Sequence, residues 1–156
     1  MLFRSGVQAF SAYAGDSFGP ADHTNLTTNS TLDLDATVQT LRFGGATGLA
    51  IGDGVTLGLS LGGLLIPATV TDSLELSGGA LTSTWAAGDN DLMIYNFGQG
   101  LATISSVIED DGLNPVNLVL AGNGVTRLSG LNTVGIEDHQ RLSRSIPILL
   151  RCHGQA

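Results

Sequence analysis

Val55-Thr56-Leu57-Gly58-Leu59-Ser60-Leu61-Gly62 alternates aliphatic residues with small or polar ones without a break. A period of two sends alternate side chains to opposite faces of an extended chain, so Val55, Leu57, Leu59 and Leu61 are expected to face a core. Working outward, the pairs Leu41/Phe43, Leu49/Ile51, Leu74/Leu76, Leu92/Ile94 and Leu118/Leu120 repeat the rule in shorter bursts. Gly44-Gly45, Gly52-Asp53-Gly54, Gly62-Gly63, Gly78-Gly79, Gly88-Asp89-Asn90 and Gly122-Asn123-Gly124 separate them, as tight turns require. Between Leu32 and Ser129 no stretch joins helical periodicity to caps and good helix formers, so the body reads as all-β.

The strands are short and recur every six to eleven residues or so, a rhythm that suits a right-handed parallel β-helix. At roughly 20–25 residues a turn, the body supplies about five coils, above the three or so that stability needs. A narrow coil interior filled by stacked aliphatics also accounts for only eight aromatic residues in the chain. A β-sandwich, with longer strands and a more aromatic core, is the alternative, and a β-roll is a second.

Composition closes off several classes. The 156 residues carry a net charge of −8 and have no lysine, all six basic residues being arginine. Such a chain is repelled by phosphate backbones, so no nucleic-acid partner is expected, and it lacks a basic patch for anionic lipid. With 42 % hydrophobic residues it is not an acidic disordered tail. Its apolar runs, such as Gly62 to Ala68, fall far short of the roughly 20 residues of a membrane helix, so direct membrane insertion is not expected. Cys152 is the only cysteine, so no internal disulfide forms, and the first residues show no signal peptide.

Charge and composition also mark a boundary. Residues 6–135 hold twelve acids against Arg42 and Arg127, whereas residues 136–156 hold three arginines, two histidines and two acids. Three segments are therefore expected: a poorly ordered lead over 1–24, a repeat region over 25–133 and an aberrant tail over 134–156.

Leu118-Val119-Leu120-Ala121-Gly122-Asn123-Gly124-Val125-Thr126-Arg127-Leu128-Ser129-Gly130-Leu131-Asn132-Thr133 resembles the autotransporter-associated β-strand repeat, through Gly122, Gly124, Leu128, Ser129, Gly130, Asn132 and Thr133. Upstream, Leu32 to Phe43 is similar to the segment that commonly precedes such repeats, and Ser106-Val107-Ile108 lies between the two. Read physically, Leu118/Leu120 and Thr126/Leu128 are the inward pairs of two strands, and Gly122 and Gly124 make the corner between them. Asn132 suits the next corner, where its amide can bond backbone. The family pattern breaks after Gly135, at Ile136-Glu137-Asp138-His139-Gln140-Arg141-Leu142. A change of reading frame near Thr133 would account for that break, and Leu2-Phe3-Arg4-Ser5 reads as adapter-encoded, making the chain a fragment.

Candidate chemistry is sparse. His23, His139 and His153 all lie outside the expected repeat region, which leaves no Ser-His-Asp site within it, and Cys152–His153 is a poor dyad because chain neighbours seldom face each other. Asp33 and Asp35, two apart on an expected strand opposite Leu32 and Leu34, have the spacing of an inverting glycosidase pair, but a solvated face is the plainer reading. Asp89, Asp91, Asp110 and Asp111 are weak Ca²⁺ candidates in acidic turns that match no fixed-spacing loop. The sequons Asn25-Leu26-Thr27 and Asn29-Ser30-Thr31 are expected to be chance matches if the chain is bacterial, as the resemblance implies. Trp85, Tyr95 and Phe97 read as rung-end or core residues rather than a sugar-stacking patch.

The resemblance implies a non-catalytic structural or adhesive stalk segment of a secreted or outer-membrane autotransporter-like surface protein, extracellular or on the bacterial cell surface. No cofactor is expected. Its partners would be host or environmental surface glycans or proteins met through other modules, and isolated coil ends would be prone to edge-to-edge association. The alternative is a carbohydrate-binding or polysaccharide-degrading β-helix protein using Asp33, Asp35, Asp110 and Asp111.

Overall fold

Alternation of period two does produce strands, and the strands assemble into two mainly parallel sheets. The computed structural model describes residues 10–85, 90–112 and 114–132, together with the backbone of 148–151. No helix is present among the described residues, so none is long and apolar enough to cross a membrane.

The first sheet contains β1 (Ala14–Gly15), β2 (His23–Leu26), β4 (Ala36–Phe43), β6 (Thr56–Ile66), β8 (Ala80–Ser83) and β11 (Val107–Ile108), hydrogen-bonded in that order. It also contains β9 (Asp91–Asn96), which pairs with the second half of β6, and β12 (Asn117–Gly122), which pairs with β9. The second sheet runs β3 (Ser30–Leu32), β5 (Gly48–Ile51), β7 (Leu74–Ser77), β10 (Leu101–Ile104), β13 (Val125–Leu128) and β14 (Ile148–Arg151). Every strand pair is parallel except β13–β14. Neither sheet closes on itself. Parallel neighbours cannot be joined by a hairpin, and from β2 to β13 the chain reaches each paired parallel strand by passing through the opposite sheet.

Register keeps like residues in line. In the second sheet Ser30 pairs with Leu49, Leu49 with Leu76, Leu76 with Ile104 and Ile104 with Leu128, in steps of 19, 27, 28 and 24 residues. In the first, Thr24 pairs with Leu41, then Leu64, Ile94 and Leu120, in steps of 17, 23, 30 and 26. The steps range more widely than the 20–25 residues read from the sequence. Leucine and isoleucine from both sheets meet in one buried cluster, with Phe43 its only aromatic among the fully buried side chains. Leu118 and Leu120 are half-buried and pack against that cluster rather than within it.

Part of the variation arises at one corner of the first sheet. Gln39 alone separates the register residues Val38 and Thr40 of β4, while Ser60 to Gly62 separate their partners Leu59 and Gly63 in β6. At the next level the strand splits, residues 84–90 standing between β8 and β9, and at the last level 109–116 stand between β11 and β12. This kink corrects the reading of the founding stretch. Leu61 does not continue the inward row of Leu57 and Leu59 but is 42 % exposed, and burial resumes at Leu64 and Ile66. Gly62 follows with a φ of 67°, which resets the row that resumes at Leu64, and it has no room for a Cβ, which would stand 2.1 Å from the Asp91 carbonyl oxygen.

Ordered structure begins before the expected boundary at 25, because β1 pairs with β2 through Ala14↔Thr24 and Gly15↔Asn25. In the expected tail, Ile148–Arg151 runs antiparallel to Val125–Leu128, while 133–147 and 152–156 lie outside the described residues.

Leu76 sits wholly buried in the middle of the second-sheet row. Leu76→Ala should cost about 2–5 kcal/mol by removing packed methyl groups. Leu34→Ala, at a residue 79 % exposed, should stay within about 0.5 kcal/mol. Urea unfolding of the two variants checks the contrast.

Candidate functional site

The unit Leu118 to Asn132 folds as strand, corner, strand, corner. β12 ends at Gly122 and β13 spans Val125–Leu128, with Thr126 and Leu128 buried. The reason for glycine at 122 and 124 is Asn96, directly beneath, because Asn96 pairs with Gly122 in the ladder. Asn96 is buried where the preceding strand places Ile66. Its Nδ2 donates to the Val125 carbonyl at 3.1 Å and to Thr126 Oγ1 at 3.0 Å, while its Oδ1 accepts from Gly98 N–H at 2.9 Å. Its backbone oxygen accepts from Gly124 N–H at 2.9 Å. A Cβ on Gly122 would stand 2.0 Å from the Asn96 carbonyl oxygen, and one on Gly124 would stand 2.3 Å from Asn96 Oδ1. Gly122 also holds a φ of 107°. Sequence reasoning singled out the two glycines and missed the amide they rest on. The signal available was Asn96-Phe97-Gly98, a short amide two residues before a glycine.

The remaining motif residues serve the next corner. Ser129 N–H donates to the Ile104 carbonyl at 2.9 Å, and Gly130 lies so close to Ser106 that a Cβ would stand 2.2 Å from its carbonyl oxygen. Asn132 Oδ1 accepts from Ile108 N–H at 2.9 Å, the backbone bond expected of it. Thr133 lies outside the described residues.

Short polar side chains do the same at other corners. Asn29 Oδ1 accepts from the N–H groups of Thr47 and Gly48 at 2.8 and 3.0 Å, and Asp16 Oδ1 from those of Thr27 and Thr28 at 2.8 and 3.3 Å. Asp35 Oδ1 accepts from Thr56 N–H at 2.8 Å. This corrects the reading of Asp33 and Asp35 as a pair on one strand face. β3 ends at Leu32 and β4 begins at Ala36, so both aspartates stand in the corner between them. Leu34, expected to share a face with buried Leu32, is exposed. A carboxylate holding a backbone amide of the adjacent strand is a structural cap.

The acidic residues at the split corner are similarly engaged. Asp91 Oδ1 accepts from Asn117 Nδ2 at 3.2 Å, Asp110 Oδ1 from Val116 N–H at 2.9 Å and Glu109 Oε1 from Thr56 Oγ1 at 3.2 Å. Asp111 and Asn114 exchange backbone hydrogen bonds around a tight turn. Asp89 lies outside the described residues. Among the described residues no three His, Cys, Asp or Glu side chains come together as a metal site.

Two expectations about rings change. His23 is not outside the strand body: it opens β2, its Nδ1 lies 2.9 Å from Thr40 Oγ1, and its ring meets Phe10 edge-on at 4.5 Å between centroids. Phe10 in turn meets Tyr13, over whose ring the Arg42 guanidinium lies 5.2 Å from the centroid. Tyr95 and Phe97 are exposed rather than core residues, because they alternate with buried Ile94 and Asn96. Trp85 is half-buried, and Cys152 and His153 lie outside the described residues.

The outer face of the second sheet carries a shallow groove of about 400 Å³. Gly48 and Ala50 of β5 form its floor, Asn29 and Thr31 one wall and Glu75 and Ser77 of β7 the other, with Thr47 at one end. Ser105 Oγ donates to Glu75 Oε1 at 3.1 Å. No local pattern marks it, since its floor is defined by what Gly48 and Ala50 lack relative to their neighbours across the strands.

No protein-family model, curated protein or solved structure matches the chain.

Two consequences can be measured. Gly122→Ala should destabilise the chain by at least about 2 kcal/mol, since it adds a backbone clash to an unfavourable φ, and chemical denaturation reads the loss. Asp16 is held below the ordinary carboxyl value of 3.8, first by the Thr27 hydroxyl and then by Thr27 N–H. A lowered folded pKa stabilises above 3.8 and loses its effect as pH falls through the folded value. The Thr27 amide resonance should therefore titrate with a midpoint below 3.8, and Asp16→Asn should abolish that titration.

Proposed function

We propose that residues 25–133 form a right-handed parallel β-helix of about five coils, a segment of the non-catalytic stalk of a secreted or outer-membrane autotransporter-like surface protein. The observation that carries this reading is the passage of the chain between two parallel sheets around one aliphatic core, with the Leu118–Asn132 unit laid down as strand, corner, strand and corner. Each level buries its aliphatic row only against its neighbours, so length is added by repetition and the whole acts as a spacer. The acidic, lysine-free surface keeps such a rod soluble and apart from others of its kind. Partners, host or environmental glycans or proteins, are met by modules the stalk displays. End strands without a cap invite edge pairing.

A carbohydrate-binding reading gains some support from the exposed Tyr95 and Phe97. Polysaccharide cleavage by Asp33, Asp35, Asp110 and Asp111 gains none, because Asp35 and Asp110 cap backbone amides and all four stand in corners.

Sequencing the parent locus tests the stalk. Further copies of the strand–corner unit, an export signal upstream and an outer-membrane barrel or surface anchor downstream are the expected result. A cytosolic reading frame without further repeats would contradict it.

A further inference from the structure

We propose that the groove over β5 is a binding site for a neutral saccharide. The inference goes beyond the stalk reading and stands whether or not that reading holds, because it rests on register and side chains alone. β5 is paired on both sides, by β3 and β7, so the groove lies on a sheet face and exposes no strand edge. Its floor runs about 13 Å along the four residues of β5 and spans two inter-strand gaps, about 10 Å.

The lining selects the ligand class. Thr31 and Ser77 bring hydroxyls that both donate and accept, Thr47 Oγ1 donates to Asn29 Oδ1 at 3.3 Å and keeps its lone pairs to accept, and Glu75 brings a carboxylate that only accepts. Asn29 Oδ1 is committed to the Thr47 and Gly48 amides, which turns its Nδ2 toward the floor, 3.9 Å from where a Gly48 Cβ would stand. Ser105 fixes the carboxylate by donating to it. Among the described residues no cationic side chain lines the groove, which leaves nothing there to balance a phosphate, sulfate or uronate. Nor does an aromatic ring among the described residues line it, so a flat apolar molecule gains little. An extended peptide adds to a sheet through unpaired backbone, which β5 does not offer. A single carboxylate is a poor cage for a divalent cation. What remains is a neutral ligand rich in hydroxyls, which can donate to Glu75 and Thr47, exchange hydrogen bonds with Thr31 and Ser77, and rest its C–H face on Gly48 and the Ala50 methyl group.

The floor can be filled without disturbing the core. A Cβ at Gly48 would make only ordinary contacts, 3.7 Å from the Glu75 carbonyl and 3.8 Å from Asn29. Valine is at home in a strand, so Gly48→Val should fold and block the groove.

Amide chemical-shift titration of the full chain checks this, with cellobiose, maltose, xylobiose and chitobiose as neutral probes and digalacturonate as the anionic contrast. At least one neutral disaccharide should bind in the millimolar range and shift the amides of 29–31, 47–50 and 75–77. Gly48→Val should abolish these shifts while its other resonances stay in place. Glu75→Gln should weaken binding about tenfold, the loss expected when a charged acceptor becomes neutral. No shift with any neutral probe at tens of millimolar overturns the proposal, as does equal binding of digalacturonate. Shifts centred on Tyr95 and Phe97, or shifts that survive Gly48→Val, would place the saccharide elsewhere and overturn it too.

Discussion

A parallel strand can be reached only by a detour, and in this chain the detours from β2 to β13 run through strands of the opposite sheet. That constraint sets the rest. Because the chain returns to the same place at each level, like residues fall into line, and the inward positions Leu49, Leu76, Ile104 and Leu128 stack as one aliphatic row. A row of this kind leaves little room for rings, and among the described residues Phe43 is the only aromatic with a fully buried side chain. The detours also generate corners, and each corner leaves backbone amides that the ladders do not pair. Asp16, Asn29, Asp35 and Asn132 take up those amides from an adjacent strand or turn. The aspartates of this acidic chain are thus partly structural, and a surface that reads as charged chemistry becomes a set of caps.

Much of this was legible beforehand. All-β content, the inward pairs and the glycine-marked corners follow from period and turn chemistry, which are local. What the sequence hid was relative placement. Leu61 obeys the alternation of Val55 to Leu59, yet it is exposed, and the left-handed Gly62 after it resets the row. Asp33 and Asp35 have a strand's spacing, yet the chain bends between Leu32 and Ala36. Asn96 carried only the local signal of an amide two residues before a glycine, because its role depends on Gly122 and Gly124, which follow by more than twenty residues and stack over it. The groove over β5 was hidden for the same reason, since it exists only where Gly48 and Ala50 lie between the longer side chains of β3 and β7.

The split corner of the first sheet shows how such a scaffold gains surface without losing its core. Residues 84–90 and 109–116 enter in sequence between strands whose pairing on either side is kept. In repeat architectures such insertions gather on one face, and that face is commonly the one that meets partners.

Register between neighbouring strands is the claim on which all of this rests, and cysteine pairing tests it most directly. In a Cys152→Ser background, Thr31→Cys with Ala50→Cys, and Ala50→Cys with Ser77→Cys, place thiols on directly paired outward positions. Neighbouring strands stand about 4.8 Å apart, within disulfide reach, whereas Thr31→Cys with Ser77→Cys spans twice that distance. Mild oxidation should close the first two pairs within the monomer and leave the third open. Ready closure of the Thr31–Ser77 pair, with Thr31–Ala50 left reduced, would contradict the stacked parallel order.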